Sequence, residues 1–436
     1  MGPKLANLHL VRRLYRGAVR LVHRLPAPPG RVGDAIAGRR SATDRWRTWA
    51  AEHRTSAPLA WFHAASVGEA QAVVPIMTRL RSAAGPLQII LTCSSPSLAA
   101  WPGRWAAERV DYVPPDEPGA LAAVLDALAP ALLCFSRGDL WPELVAAARE
   151  RAVPVAVVGG VMRPHSVKLT WPGRLVLGEM HRSLSFVGAA NAGERERWIR
   201  AGVAEGRVAV TGNGRHDQVL EREADLAPAA ALAGWRAQGP VLAAGSVERE
   251  DVPPLLVLIA RARASIPSLR VLAVPHALDE ADSLTAALRR SSVETAVWRG
   301  PPEGVPDATA LVVARTGLLA DLYLAGDVAY VGGGFRRGRL HSVVEPASVA
   351  LPVVTGSHGA DDPDLARMIT AGGATVVDVG TATGFDTCIR WLNDADRRWR
   401  AGILARSCLS TGAAGKEADA LLRLLAAKCP TTPVAH

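Results

Sequence analysis

A chain of 436 residues that is 49 % apolar is long enough for two buried cores of ordinary domain size, which excludes a disordered or fibrous protein. Its five cysteines, Cys93, Cys134, Cys388, Cys408 and Cys429, are widely spaced, with no C-x-x-C and no Cys/His cluster of metal-ligand spacing; reduced structural thiols and no bound zinc are expected. The net charge of +9 sits at one end, because residues 1–54 hold twelve Lys or Arg against three acids; the rest of the chain is neutral, which excludes a general polyanion-binding surface.

The first predicted element is an amphipathic helix in LANLHLVRRLYRGAVRLVHRL. Val11, Leu14, Tyr15, Ala18, Val22 and Leu25 recur at helical spacing, with Arg12, Arg13, Arg16, Arg20 and Arg24 on the other side. Five arginines in thirteen positions exclude a transmembrane helix, and no signal-peptide core or cleavage site stands out. An apolar stripe opposite an arginine stripe suits an anionic bilayer interface. Packing against its own domain and nucleic-acid contact are the alternatives, the last disfavoured because stacking aromatics are not interleaved.

From residue 57 onward, short apolar runs alternate with helical stretches. The predicted strands are 59–64, 88–92, 131–135 and 153–158, then 240–245, 269–274, 308–314, 327–333 and 351–356. Their spacing indicates βαβ units and parallel sheets, and the series occurs twice. Residues 211–239 interrupt it, so the reading is an α/β fold of two doubly wound domains facing across a cleft. The expected segments are 1–54 (basic, membrane-proximal), 55–225 (acceptor domain) and 226–436 (nucleotide domain), with the last helix, 413–428, packing back on the first domain. Ligands of such sheets bind at the carboxyl ends of the strands. The pattern alone leaves open a glycosyltransferase, a sugar-nucleotide epimerase or a two-domain binding protein.

Three loops at strand ends carry candidate chemistry. In Ser66-Val67-Gly68-Glu69 a strand runs into a small-residue turn that leaves a carboxylate at a helix start; Glu69 is either a site group or a favourable charge at the helix N-terminus. In DLWPEL, Asp139 is either a second site carboxylate or an N-cap, and Trp141-Pro142 starts the next helix. Gly332-Gly333-Gly334 follows a strand and leads through Arg336, Arg337 and Arg339 to His341, Ser342 and Glu345. Glycines there let a ligand approach the backbone, and exposed N–H groups favour phosphate. With Gly245-Ser246 after another strand, the loops suggest a phosphate site; His276, just past a third strand end, is either a structural histidine, as a lone His more often is, or a site group. No G-x-x-x-x-G-K-[ST] and no G-x-S-x-G is present, which excludes a P-loop ATPase and an α/β-hydrolase.

HAASVGE, TCSSPSL, YVPPDEP, LWPEL, RPHS, VTGN, TGLLADLYLAGDVAYVGGG and HSVVEPASVALPVVTG stand in the order and approximate spacing of the 3-deoxy-D-manno-octulosonic acid (Kdo) transferases, which the chain resembles over about residues 30–425. The resemblance implies the two-Rossmann GT-B fold and inverting transfer of Kdo from CMP-Kdo to a lipid A precursor in lipopolysaccharide core synthesis. It implies a peripheral location on the cytoplasmic face of the bacterial inner membrane, with no cofactor beyond the CMP-activated donor and no metal. It makes Glu69 the general base and Asp139 an assisting group. It places Gly245, Ser246, His276, Gly333, Gly334, His341, Ser342 and Glu345 around the nucleotide, Ser66 and Gly68 beside the acceptor, and Arg12, Arg13, Arg16, Arg20 and Arg24 on lipid phosphates; nucleic acid is not an expected partner.

The chain also departs from the family. Arg137-Gly138-Asp139 stands where Glu-Thr-Glu is usual, Val274-Pro275-His276 where Pro-Arg-His is usual, Arg339-Leu340-His341-Ser342 for Gly-Gly-His-Asn, and Gly245-Ser246-Val247 for Ser-Thr-His; the Asn-Ala-Arg before RPHS is absent. These changes fall mostly on the donor side. They leave two rivals: a related transferase with another donor or acceptor, and a non-catalytic lipid-A-binding paralogue.

Overall fold

The computed structural model describes residues 3–99, 105–162, 166–378 and 380–428. The chain forms two compact units, Met1–Gln218 with Ser410–His436, and Val219–Leu409. The change of unit therefore falls slightly before residue 225, and the chain returns to the first unit at Ser410.

In the first unit, β1 (Leu59–Ala64), β2 (Gln88–Cys93), β3 (Arg109–Tyr112), β4 (Leu132–Ser136), β5 (Val155–Gly160), β6 (Phe186–Ala189) and β7 (Val208–Val210) form a parallel sheet in the order β3-β2-β1-β4-β5-β6-β7. Parallel sheets are covered on both faces, so their central strands are continuous apolar runs, and every residue of β1 and β2 is buried. Side chains alternate between faces. Leu59 and Trp61 of β1 join a core with Trp46 and Trp49, whereas Ala60, Phe62 and Ala64 join another with Val73, Ile76 and Met77. The second core also takes Ala414, Ala418, Leu421 and Leu425 of the helix Ala413–Lys428.

The second unit repeats the plan with β8 (Val241–Val247), β9 (Arg270–Pro275), β10 (Thr295–Trp298), β11 (Ala310–Val313), β12 (Val328–Val331), β13 (Val353–Gly356) and β14 (Ala374–Val377), in the order β10-β11-β9-β8-β12-β13-β14. Strand order reverses between β1 and β4 in one unit and between β8 and β12 in the other. Such reversals open crevices at the carboxyl ends of the strands.

The N-terminal helix α1 (Pro3–Arg24) faces the opposite way from a helix lying arginine-outward. Arg12 gives Glu143 two hydrogen bonds, 2.7 and 2.9 Å, and Arg16 a third at 2.8 Å; Tyr15 donates to Asp116 at 2.7 Å, and Arg20 lies 3.5 Å from Glu117. Glu143 is buried, and an unpaired carboxylate there would be costly, so it draws Arg12 and Arg16 inward. This corrects the expectation that Arg12 and Arg16 face lipid. Arg13, Arg20 and Arg24 remain exposed, beside an outward stripe of Val11, Leu14, Leu21, Val22 and Leu25.

Of the five cysteines, Cys93, Cys134, Cys388 and Cys408 are free thiols, and Cys429 lies outside the described residues. Residues 163–165 of the RPHS motif lie outside them too.

Candidate functional site

In the first unit the loops after β1 and β4 meet at the reversal of strand order. Ser66 caps the helix Val67–Ala83, its hydroxyl accepting from the Glu69 N–H at 3.4 Å. The Glu69 carboxylate turns back to accept from the Ala65 N–H through Oε2 at 2.9 Å, so part of its role is local and structural. Burial nevertheless pushes the Glu69 carboxyl above its ordinary value; the Ala65 N–H and Arg137 pull it back, and Asp139 adds to the rise. The outcome is a more basic carboxylate. A side-chain carbon added at Gly68 would meet nothing within 4 Å, so packing does not require the glycine, which leaves the surface beside Glu69 open.

Arg137 and Gly138 both take left-handed backbone conformations, φ 58° and 102°. The bend is anchored by Arg137 N–H to Val158 O at 2.9 Å, and a side chain at Gly138 would press on the Trp198 ring at 3.0 Å. It presents Asp139 beside His63. Asp139 is not an N-cap: the helix Pro142–Glu150 begins without a side-chain cap from its own segment, and Asp116 accepts from the Glu143 and Leu144 N–H groups instead, at 3.1 and 2.9 Å.

His63 is fully buried and neutral. Its Nε2 accepts from Trp141 Nε1 at 3.1 Å, which puts the ring proton on Nδ1, 3.0 Å from Thr92 Oγ1; that hydroxyl also accepts from Trp61 Nε1 and donates to Phe62 O. Desolvation lowers the His63 pKa, in keeping with this tautomer. The Asp139 contact at 3.5 Å is therefore a dipolar one, not an ion pair. Burial pushes the Asp139 carboxyl up, and the nearby charges of Lys168 and Arg39 pull it down.

Two cations here had no motif to mark them. Lys168 donates to Gly138 O at 2.8 Å, and burial lowers its pKa. Arg39 donates to Val113 O and Pro114 O at 3.2 and 3.0 Å and stacks 4.0 Å over Trp141. Glu69, Asp139, Lys168 and Arg39 thus combine a basic carboxylate with cationic groups suited to an anionic substrate.

In the second unit the loops after β8, β9 and β12 converge at the other reversal. Ser246 is left-handed, φ 51°, and a side chain at Gly245 would lie 2.2 Å from Tyr323 OH. The three glycines are required by the protein's own backbone: side chains at Gly332, Gly333 and Gly334 would lie 2.0 Å from Ser246 O, 2.2 Å from Arg339 O and 2.2 Å from Thr355 Oγ1. The Gly333 N–H, expected to await phosphate, donates to Asp251 at 2.7 Å. Asp251 also accepts from Tyr330 OH at 3.0 Å and Glu248 N–H at 2.9 Å. Gly333 and Gly334 therefore shape the loop, and the Gly333 N–H is taken within the protein rather than left for phosphate.

His276 and His341 stack with ring centres 4.3 Å apart. His341 Nε2 lies 3.0 Å from Glu248 Oε1, which also accepts from Arg339 at 2.9 Å. Burial pushes Glu248 up, but His341 and Arg339 bring it below its ordinary value; burial and His276 lower His341. Glu248, His276 and His341 are the described residues that could hold a metal ion, with ligand atoms within 4.8 Å of one another, although Arg339 competes for the same carboxylate. Next to them the Ser342 hydroxyl is buried without a hydrogen-bond partner among the described residues, as expected of a group that meets its partner in a ligand. Glu345 lies half-buried in the first turn of the helix Val344–Ser348. The structure thus gathers Gly245, Ser246, His276, Gly333, His341 and Ser342 in one unit, with Glu248 as the member that sequence reasoning missed.

A family model described as 3-Deoxy-D-manno-octulosonic-acid transferase (kdotransferase) matches residues 40–218. The chain is 29 % identical to the 3-deoxy-D-manno-octulosonic acid transferase of Bordetella pertussis, covering 88 % of this chain and 93 % of that protein. It is 23 % identical to the enzyme of the same name from Haemophilus influenzae, covering 78 % and 81 %. Among solved structures it is similar to UDP-GlcNAc 2-epimerase from Methanocaldococcus jannaschii (13 % identity, TM-score 0.56, 84 % of this chain and 99 % of that one) and to UDP-GlcNAc 2-epimerase from Neisseria meningitidis bound to UDP-GlcNAc (14 %, 0.54, 84 % and 99 %). At such identities the structural likeness shows the fold alone, a two-domain α/β fold of the GT-B class.

Proposed function

Because the chain belongs, as a divergent member, to the Kdo transferase family of glycosyltransferases, we propose that it transfers Kdo from CMP-Kdo to a hydroxyl of a lipid A precursor, with inversion. The observation that carries this reading is Glu69, a carboxylate made more basic by burial and set at the reversal of strand order, with its position fixed by the Ala65 N–H. The acceptor O–H gives its proton to Glu69 as the oxygen attacks the anomeric carbon of the donor. The bond from that carbon to the phosphate oxygen breaks, and CMP leaves with the electron pair. On this reading Ser342, His276 and the His341–Glu248 pair would receive the nucleotide, while Lys168 and Arg39 would supply positive charge toward a phosphorylated acceptor. CMP is a good leaving group, so this scheme calls for no metal or cofactor.

The protein would work on the cytoplasmic face of the inner membrane. No helix among the described residues is long and apolar enough to cross a membrane. Instead the outward stripe of α1, flanked by Arg13 and Arg24, would lie in the interface. A changed donor is the second reading, favoured by Pro275, which is buried at the end of its strand and stands where the family usually has an arginine. The deciding experiment offers CMP-Kdo, generated in situ, and a panel of other sugar nucleotides with a tetra-acylated lipid A precursor in detergent. Product from CMP-Kdo is expected; product only from another donor would shift the assignment, and none from any donor would favour a binding protein.

A further inference from the structure

The second unit carries a surface that the transfer reaction does not use. The helices Thr383–Asn393 and Ala395–Ser407 border an open cavity of about 330 Å³ lined by Arg390, Trp391, Arg397, Arg400 and Leu404, with no carboxylate in its lining. Arg397 is paired with Asp394 at 2.9 Å. Arg390 donates only to Thr387, at 2.9 Å, and no carboxylate pairs with Arg390 or Arg400 among the described residues. Guanidinium groups gathered in this way suit the oxygens of a phosphate.

The second helix also has an inverted apolar pattern. Its small residues Ala401, Gly402 and Ala405 face inward, where a side chain at Gly402 would lie 1.8 Å from Ala350 O, so the helix packs too closely to bury anything larger. Its large residues are left outside: Trp399 is 65 % exposed, Ile403 41 % and Leu404 40 %. A tryptophan and two aliphatic side chains on one helix, with Arg400 among them and Arg390 on the helix before, neither paired with a carboxylate among the described residues, match the chemistry of an anionic bilayer interface, where aromatic rings sit at headgroup depth and arginines hold phosphates.

We infer that this face of the second unit contacts an anionic bilayer, the cavity taking a lipid phosphate while Trp399 and Ile403 enter the interface. The inference goes beyond the transfer reaction and does not depend on which sugar is moved. It adds to α1 a membrane contact on the other unit.

The test uses the full chain with Cys408→Ser and Cys429→Ser, carrying Trp399→Cys labelled with a polarity-sensitive fluorophore. The other three cysteines are buried and do not compete for label. Because α1 could bring the protein to vesicles unaided, the readout is local to position 399. A blue shift is expected with vesicles containing about one-third phosphatidylglycerol and none with phosphatidylcholine alone. Arg390→Ala with Arg400→Ala should weaken vesicle binding at least about fivefold, the effect of one basic residue near such a surface. The inference is overturned if the protein sediments with anionic vesicles while the probe stays in water, if it does not sediment at all, or if glycerol 3-phosphate without lipid gives the same shift.

Discussion

Replacing Glu417 by Gln should remove a large part of the protein's loss of stability in mild alkali. Glu417 projects from the helix Ala413–Lys428 into the first unit and is wholly buried. Its Oε1 accepts from the Gly159 N–H and the Thr211 hydroxyl, both at 2.8 Å, while Oε2 has no partner among the described residues. Burial raises this carboxyl from the ordinary 4.5 to about 8, the two hydrogen bonds opposing and the Asp217 charge reinforcing the rise. An acid whose folded pKa is raised is protonated in the native state and ionised in the unfolded chain. Its stabilising contribution is therefore whole below 4.5 and lost progressively as pH climbs to about 8. Between pH 5 and pH 8.5 the linkage is about 4 kcal/mol. Glutamine keeps the oxygen that accepts from Gly159 and Thr211 and cannot ionise. Urea unfolding of both proteins at pH 5, 6, 7 and 8.5, followed by circular dichroism, should show the variant gaining on the wild type by several kcal/mol over that range. Parallel pH profiles would refute the reasoning, because they would mean that Glu417 does not change its ionisation on folding.

Other expectations can be tested more briefly. Ser342→Ala should leave the unfolding midpoint almost unchanged, since it deletes a hydroxyl with no partner among the described residues, yet weaken CMP binding several-fold in calorimetry; unchanged affinity would remove Ser342 from the nucleotide site. Glu143→Gln should loosen α1, raising the rate of tryptic cleavage among Arg12, Arg13 and Arg16 and costing about 1–3 kcal/mol; an unchanged cleavage rate would mean the arginine contacts do not hold the helix. Trp61→Ala, which empties a fully buried site and strips Thr92 of a donor, should cost about 3–5 kcal/mol by urea denaturation, and a loss below about 1 kcal/mol would contradict the packing described.

The central strands were legible because a sheet covered on both faces demands continuous apolar runs, and β1, β2 and β4 supply them. The strands that escaped, β3, β6, β7, β10 and β14, are three or four residues long, and all but β6 lie at sheet edges. β3 reads RVDY, with two charges whose reason, a network of Arg45, Arg109 and Asp111, appears only after folding. β6 contains Gly188, where a side chain would lie 2.2 Å from the carboxylate of Glu417, over two hundred positions away.

The same distinction governs the site. Glu69 could be found because strand, small-residue turn and helix are contiguous. His63 and Glu248 could not, because their partners, Trp141 and His341, arrive from distant loops. For α1, periodicity suggested an apolar and an arginine side, but the buried Glu143 and Asp116 draw Tyr15 inward together with Arg12 and Arg16 and leave Arg13 and Arg24 outside with the apolar stripe.

The central claim, that Glu69 takes the acceptor proton, is tested most directly by comparing wild type with Glu69→Gln in the lipid A precursor transfer assay. Glutamine retains an oxygen to accept from the Ala65 N–H, so the turn survives and only the basicity is lost. The account predicts transfer by the wild type and a rate at least about a hundredfold lower in the variant, with CMP affinity unchanged. A variant that transfers at the wild-type rate would contradict it.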